Sequence, residues 1–377
     1  MKTSLFFLLF SLLAVPHTFG QAPSSPQPKP VEGMVRTTIV AKGLEHPWAL
    51  EFLPDGRMLV SERPGRLRLV DGKGRVSEPL DGVPKVFAQG QGGLLDITRS
   101  PTFAQDRLIY FSFAEEGEGG AGTAVARAVL AERALEKVQV IWRQTPKVKS
   151  NNHFGSRLVF GRDGNLFVTM GDRFAYRDQA QNLATTLGKI VRIQPDGGIP
   201  KDNPFVGREG ARPEIWSYGH RNVQAAALHP ESGQLWTVEH GARGGDELNQ
   251  PQPGKNHGWP VITYGVDYSG AKIGEGTSKT GMEQPVYYWD PVIAPSGALF
   301  YTGNVFPQWK GNLLIGSLQP GLLVRLEMTG GRIGNESRYA GGDLSARIRD
   351  LQQGPDGAIY LITDDNNGKI LRIEPAK

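Results

Sequence analysis

Phe160-Gly161-Arg162-Asp163-Gly164, followed by Leu166-Phe167-Val168, is a tight polar turn that feeds a short apolar strand. The Asp-Gly pair supplies the positive φ that a hairpin needs. The same unit recurs along the chain. It stands as Phe52-Leu53-Pro54-Asp55-Gly56 before Met58-Leu59-Val60, and around Asp106 before Leu108-Ile109-Tyr110-Phe111. It returns as Leu228-His229-Pro230-Glu231-Ser232-Gly233 before Leu235-Trp236-Thr237-Val238, and in weaker form as Trp309-Lys310-Gly311-Asn312 before Leu313-Leu314-Ile315. The last copy is Gly354-Pro355-Asp356-Gly357 before Ile359-Tyr360-Leu361-Ile362. A further strand often follows, as in Gly65 to Leu69, Gly188 to Ile193, Leu322 to Leu326 and Gly368 to Ile373. With 49 Gly and 27 Pro, many short strands and tight turns are expected rather than long helices. Six hairpin units predict an all-β chain, a six-bladed β-propeller of four-stranded antiparallel blades, with a β-sandwich or two β domains as the alternatives that such turns also allow. Their uneven spacing predicts long inserted loops, chiefly within Arg173 to Leu187 and Gly241 to Asp290, which in a propeller gather at the ends of the barrel and tend to build the site.

The N-terminus reads as a targeting segment. Lys2 precedes an apolar run from Leu5 to Val15, too short to span a bilayer, and Thr18-Phe19-Gly20 suits a signal peptidase. Cleavage is expected after Gly20, with a flexible lead over 21–34 and the propeller over 35–377. These features predict a periplasmic or secreted protein with no stable membrane insertion. The chain has no cysteine, so neither disulfides nor a cysteine-linked lipid can contribute. A net charge of +4 without a dense Lys/Arg tract argues against nucleic acid as a partner.

In several copies the apolar strand runs into polar residues: Ser61-Glu62, Gly171-Asp172, Glu239-His240 and Thr363-Asp364. Equivalent strands of a propeller end on one face, so these groups are expected near the axis, to bind a cation or orient catalytic groups. Capping of turns by single acidic residues is the plainer alternative for any one of them. Arg347 and Arg349 alternate and would share a face suited to an anionic ligand with several carboxylates, or would lie on a solvated edge strand. His153 stands beside Asn151-Asn152 and near Asp172, a setting that favours a functional over a purely structural histidine.

The order of motifs resembles the soluble PQQ-dependent glucose and aldose sugar dehydrogenases. It is carried by GQGGLLD (Gly90 to Asp96), NHFGSRL (Asn152 to Leu158), MGD (Met170 to Asp172), GKIVRI and IPKDNPF (Gly188 to Phe205). GHRN (from Gly219), GDELN with GWP (Gly245 to Pro260), APSG (from Ala294) and RIRD (from Arg347) complete it. The resemblance implies that His153 is the general base for the anomeric hydroxyl and that Asp172 orients it. It implies that Arg221 and Asn222 lie beside the quinone oxygens of pyrroloquinoline quinone (PQQ), with Arg221 stabilising developing negative charge. Gln91, Arg347, Arg349 and Asp364 match further cofactor positions. The carbonyls of Gly241 and Ala242 match ligands of a calcium ion, Asp246 lies in the same loop, and Glu247 matches a second calcium position with a carbonyl near His257. Two departures stand out: Ala242 replaces a proline, and Gln319 replaces a lysine facing the cofactor. Trp289 or Asp290 matches an aromatic wall of the substrate site.

The expected function is therefore oxidation of an aldose at its anomeric carbon to a lactone, with PQQ and Ca2+ as cofactors. A separate external electron acceptor is needed, since the chain has no haem motif. A calcium lactonase-like hydrolase and a non-enzymatic binding propeller remain as alternatives from the residues alone.

Overall fold

The structure, a computed structural model, describes residues 27–376. The expected signal sequence lies outside the described residues. Six antiparallel sheets surround a central axis, five of four strands and one of three. The first strands of the sheets, Pro47–Phe52, Leu94–Arg99, Leu158–Phe160, Val223–Leu228, Pro295–Phe300 and Ile348–Gln353, form a closed inner ring in chain order. This is a six-bladed β-propeller. The three-stranded blade is the first, Pro47–Phe52, Met58–Glu62 and Arg66–Val70. The ring is closed by the N-terminal strand Val35–Leu44, which pairs with Gly368–Pro375 from Val35↔Pro375 to Leu44↔Gly368. The preceding residues are docked as well: the Val31 N–H donates to the Arg338 carbonyl at 2.8 Å.

Each repeated turn joins the first strand of a blade to the second. Three copies share one construction. Gly56, Gly164 and Gly357 have φ of +83°, +78° and +76°, a region that favours glycine. The preceding Asp55, Asp163 and Asp356 each accept the N–H two residues on, at 3.0, 3.0 and 3.1 Å. At the second copy Arg107 takes the left-handed position, with φ +56°.

Neighbouring blades are latched by a hydroxyl on the second strand. Ser61, Ser112 and Thr169 each accept an N–H from their own first strand, from Ala49, Asp96 and Arg157 at 3.0, 3.0 and 2.9 Å. Each then donates to a carbonyl at the start of the next blade, Leu95, Ser156 and Val223, at 2.5, 2.7 and 2.9 Å. Apolar faces fill the space between blades; Leu59 and Leu67 of the first pack in one core with Phe111 and Phe113 of the second. Each such buried side chain contributes about 1.5–3 kcal/mol. Among the described residues no helix is long and apolar enough to cross a membrane.

All the turns of one type lie at one end of the ring, so the opposite strand ends and the long insertions share the other end. The insertions are 170–188 and the stretch around Asp246–Asn249, extended by 250–286 before Tyr287–Trp289. The strand Asp246–Asn249 thus lies inside what the sequence suggested was loop.

Candidate active site

The strand-end acids are at one face as expected, and each is held by basic or backbone donors. Glu62 binds Arg66 at 2.7 Å and Arg68 at 3.2 Å. Glu239 accepts from the Arg221 N–H at 2.6 Å and contacts His220 Nδ1 at 2.9 Å. Asp364 contacts His46 Nδ1 at 2.8 Å, Arg349 at 2.5 Å and Arg347 at 3.3 Å. Arg347 and Arg349 do share a face, and both guanidiniums contact Asp364. Burial pushes the Arg349 guanidinium down, and Asp364 counters it. Arg349 and the neighbouring arginines hold the Asp364 carboxyl well below the usual range in spite of its burial.

The site floor is an axial plug. Buried Arg157 binds Asp96 at 2.9 Å and Asp350 at 3.0 Å, with its guanidinium 4.3 Å from the Trp48 ring centroid. Just above it, Arg349 donates to Gln224 Oε1 at 3.0 Å and Ser296 Oγ at 3.3 Å. A hydrolytic propeller would need axial carboxylates free for a metal, whereas Asp96 and Asp350 are occupied by Arg157.

Above the plug a cleft of ≈ 230 Å³ is walled by Trp48, Arg63, Gln91, His153, Arg221, Asn222, His240, Tyr268, Ala294, Leu318, Arg347 and Arg349, among others. Four arginines in one small cleft call for an anion with several carboxylates. Buried Nε atoms of Arg221 and Arg349 and Nε2 of His240 have no partner within the protein. Unpaired buried donors are costly, so a polar ligand fits this cleft better than an apolar one. The His240 imidazole is pushed down to about 3, first by burial and then by Arg221, His153 and Arg349.

A second cleft of ≈ 380 Å³ adjoins the first and shares His153, Arg221 and Tyr268 with it. His153 Nδ1 lies 2.7 Å from Asp172 Oδ1. Asp172 is fully buried; it also accepts the Phe174 N–H at 2.7 Å and the Trp259 indole N–H at 2.8 Å. With Nδ1 committed to the carboxylate, Nε2 is the nitrogen left for a substrate. Burial lowers the His153 pKa and Asp172 opposes it; with Arg221 and Arg173 also lowering it, the balance lies below the usual histidine value. The imidazole is therefore neutral at neutral pH, the form a base requires.

Two glycines permit this pairing. Gly155 has φ +63°, and a Cβ there would meet the Met170 backbone at 2.5 Å. A Cβ on Gly171 would meet the His153 carbonyl oxygen at 2.1 Å. The NHFG and MGD motifs thus mark two backbone segments in direct contact. His153 itself has φ +54°, and its N–H donates to Gln91 Oε1 at 2.8 Å. Asn222 Oδ1 accepts the Gly155 N–H at 3.1 Å.

Other expected site residues are placed as follows. Ala242 lines the second cleft. Both oxygens of Asp246 accept backbone N–H bonds, from Gly241 at 2.7 Å and from Ile293 and Ala294 at 2.8 Å each. Asp246 therefore clamps the turn that carries Gly241 and Ala242. Gln319 is exposed, and Leu318 rather than Gln319 forms the cleft wall. Trp289 is buried in the blade core with its indole N–H on Glu336 at 3.1 Å, and Asp290 is exposed. The aromatic residues lining the second cleft are Phe174, Trp259 and Tyr268, with Phe174 and Tyr268 stacked at 6.4 Å. Trp259 was legible only as part of GWP, and Tyr268, Trp48 and Arg63 carried no signal in the sequence.

Glu247 lines an inner cavity with Glu239, Gly241 and His257. Burial first, and then Glu239, push the Glu247 carboxyl well above its usual value. Both ring nitrogens of His257 are buried without a partner. Two buried carboxyls side by side suit a hard cation. Among the described residues no three His, Asp or Glu side chains form a ready metal centre, so backbone carbonyls would have to complete the shell.

A hollow of ≈ 470 Å³ at the opposite mouth, beside the repeated turns, exposes more polar than apolar surface, with Glu51 and Arg99 paired in its lining. It holds none of the chemistry described above.

Residues 44–372 match the model of the family described as Glucose / Sorbosone dehydrogenase. The chain is 44% identical over 376 residues to aldose sugar dehydrogenase YliI of Escherichia coli (strain K12), covering 98% of each. The crystal structure of the soluble aldose sugar dehydrogenase from Escherichia coli in its apo form superposes with a TM-score of 0.88 at 45% identity, over 90% of this chain and 99% of that one. The PQQ-bound aldose sugar dehydrogenase from Streptomyces coelicolor superposes with a TM-score of 0.74 at 28% identity, over 91% of this chain and 99% of that one.

Proposed function

The chain belongs to the glucose/sorbosone dehydrogenase family, and from that premise we propose that it oxidises aldoses at the anomeric carbon with PQQ and calcium. The observation that carries this reading is one pair of adjoining clefts. One presents four arginines, two of them (Arg221 and Arg349) with an unpartnered Nε, the other a neutral His153 oriented by Asp172. Bound PQQ supplies the two-electron acceptor, and calcium beside it the polarising charge. Arg347 and Arg349 hold cofactor carboxylates, with Arg63 on the same wall. Arg221 and Asn222 line the same cleft as His153 and would stabilise negative charge developing on the bound cofactor. The aldose lies against Phe174, Trp259 and Tyr268, where apolar ring faces exclude water. His153 Nε2 takes the anomeric hydroxyl proton, and Asp172 stabilises the resulting imidazolium through Nδ1. The sugar leaves as a lactone. Electrons pass on to a separate acceptor, since the chain has no cysteine to hold an iron–sulfur cluster. The N-terminal segment fits export to the periplasm or medium.

Reconstitution tests the reading. The purified protein, treated with a chelator, should reduce a dye with an aldose only after PQQ and calcium are returned. Full turnover without PQQ, or with a nicotinamide cofactor, would overturn it.

A second expectation concerns the inner cavity. A second calcium, apart from the one at Gly241 and Ala242, should be held by Glu247 with a backbone carbonyl near His257. In wild type, calcium at about 100 times its Kd should stabilise the fold by about 2.7 kcal/mol. Glu247→Gln should abolish that increment and leave the calcium-free protein at least as stable, because it removes a buried carboxyl crowded by Glu239. Thermal melting with and without calcium reads both effects. An unchanged calcium response in the variant would rule out Glu247 as the ligand.

A further inference from the structure

Arg173 follows the Asp172 that orients His153, and it is fully buried. Its guanidinium lies 3.5 Å from the Phe154 ring centroid. Its Nε donates to the Asn152 carbonyl at 3.0 Å, and Nη2 donates to the Ser150 carbonyl. Nη1 is buried without any partner. The adjacent carboxylate, Asp172, is committed to His153, Trp259 and the Phe174 N–H. Among the described residues Arg173 makes no ion pair within 4 Å, and burial pushes its pKa down to about 9.

Burying a cation this way is unfavourable, and an apolar side chain would fill the space at less cost. The contacts show what the cation does. Both bonded carbonyls belong to the turn that leads into His153, and the stacked ring is the residue after it. His153 sits at φ +54°, sparsely populated for a side chain of its size, so the turn must be over-determined to persist. Arg173 grips it from one side, and Gln91 from the other through the His153 N–H.

We propose that Arg173 is a positioning residue for the reaction: its guanidinium clamps the His153 turn in its left-handed conformation and keeps a positive charge beside the imidazole, so that the base stays neutral and aimed at the substrate. The charged or titratable groups facing His153 are Asp172, Arg173, Arg221 and His240. Only Asp172 favours the protonated ring. Removing the Arg173 charge therefore moves the His153 titration to higher pH. The inference rests on the general-base reading of His153, but its first readout does not.

The test uses Arg173→Gln and Arg173→Lys. In the cofactor-free protein, NMR follows the His153 imidazole, assigned by comparison with His153→Gln. Arg173→Gln should titrate at higher pH than wild type, and Arg173→Lys, which keeps the charge, close to wild type. In the reconstituted enzyme Arg173→Gln should lose roughly 10- to 100-fold in kcat, as for a displaced catalytic group, with KM and PQQ affinity unchanged. The acid limb of its kcat/KM profile should move up with the imidazole. Arg173→Lys should fall between, since one ammonium replaces a planar fork. An unmoved imidazole titration in Arg173→Gln, or wild-type kcat in either folded variant, overturns the proposal. If Arg173→Gln does not fold, Arg173→Lys decides by kcat: reduced turnover with an unmoved acid limb supports the clamp, and wild-type turnover refutes it. A normal imidazole shift with no loss of activity in His153→Ala would show that the base assignment had failed, not the clamp.

Discussion

Replacing His153 by alanine should lower aldose turnover by roughly two to four orders of magnitude, the usual worth of a positioned general base, with PQQ affinity intact. The C–H electrons cannot leave the anomeric carbon readily while the hydroxyl keeps its proton. His153 is the neutral acceptor in reach, its Nδ1 held 2.7 Å from Asp172 and its pKa lowered by burial. Asp172→Asn should cost less, roughly 10- to 100-fold, because it disturbs orientation and basicity without removing the base. Cofactor binding should survive both, since the arginine cleft is built from other blades. Single-turnover rates and PQQ titrations would measure the two effects separately. Wild-type turnover in His153→Ala, or loss of PQQ from a folded variant, would contradict the assigned role.

Arg349→Leu should have the largest effect on the cofactor. Arg349 pairs with Asp364 at 2.5 Å on the floor of the cleft, and its Nε is left for a ligand. Truncating one partner of a buried, hydrogen-bonded charge pair costs about 2–5 kcal/mol. PQQ affinity should fall by at least roughly 30-fold by the same measure. The fold should be destabilised too, because Asp364 keeps only His46 and the more exposed Arg347. That loss has a pH signature. The depressed Asp364 pKa contributes stability above the unfolded value of about 3.9, and this contribution disappears as pH falls through the folded value. The stability gap between wild type and Arg349→Leu should therefore be full at neutral pH and narrow below about pH 4. Melting curves over that range, with PQQ titrations at neutral pH, check both statements. A gap independent of pH would mean that the Asp364 pairing is not its source.

The propeller could be read from the turns because their chemistry is local. Asp163 accepts the N–H two residues away, and Gly164 adopts a positive φ, whatever the rest of the chain does. Strand ends became visible by the same logic, since a period-two apolar run that stops at Asp172 or Asp364 must stop at one face of the ring. The motif order then placed His153, Asp172, Arg221 and the Arg347–Arg349 pair in one region, and the structure brings them together around two adjoining clefts.

Where contacts span different blades, no spacing along the chain could reveal them. Trp48 and Arg63 reach the arginine-lined cleft from the first blade, and Tyr268 reaches Arg221 at 3.3 Å from a loop in the fourth. A position in a motif does not say which way a side chain points, as Trp289 and Asp246 show. Trp289 turns into a blade core toward Glu336, and Asp246 turns onto three backbone N–H groups. Arg173 is the sharpest case. In the sequence it is one more charged residue after MGD. Only burial against Phe154, with two carbonyls of the His153 turn in reach and no carboxylate to spare, makes it a clamp. Local backbone chemistry repeats and can be read from one dimension, whereas side-chain direction and desolvation depend on which distant segments close over a residue, and these exist only once the ring has formed.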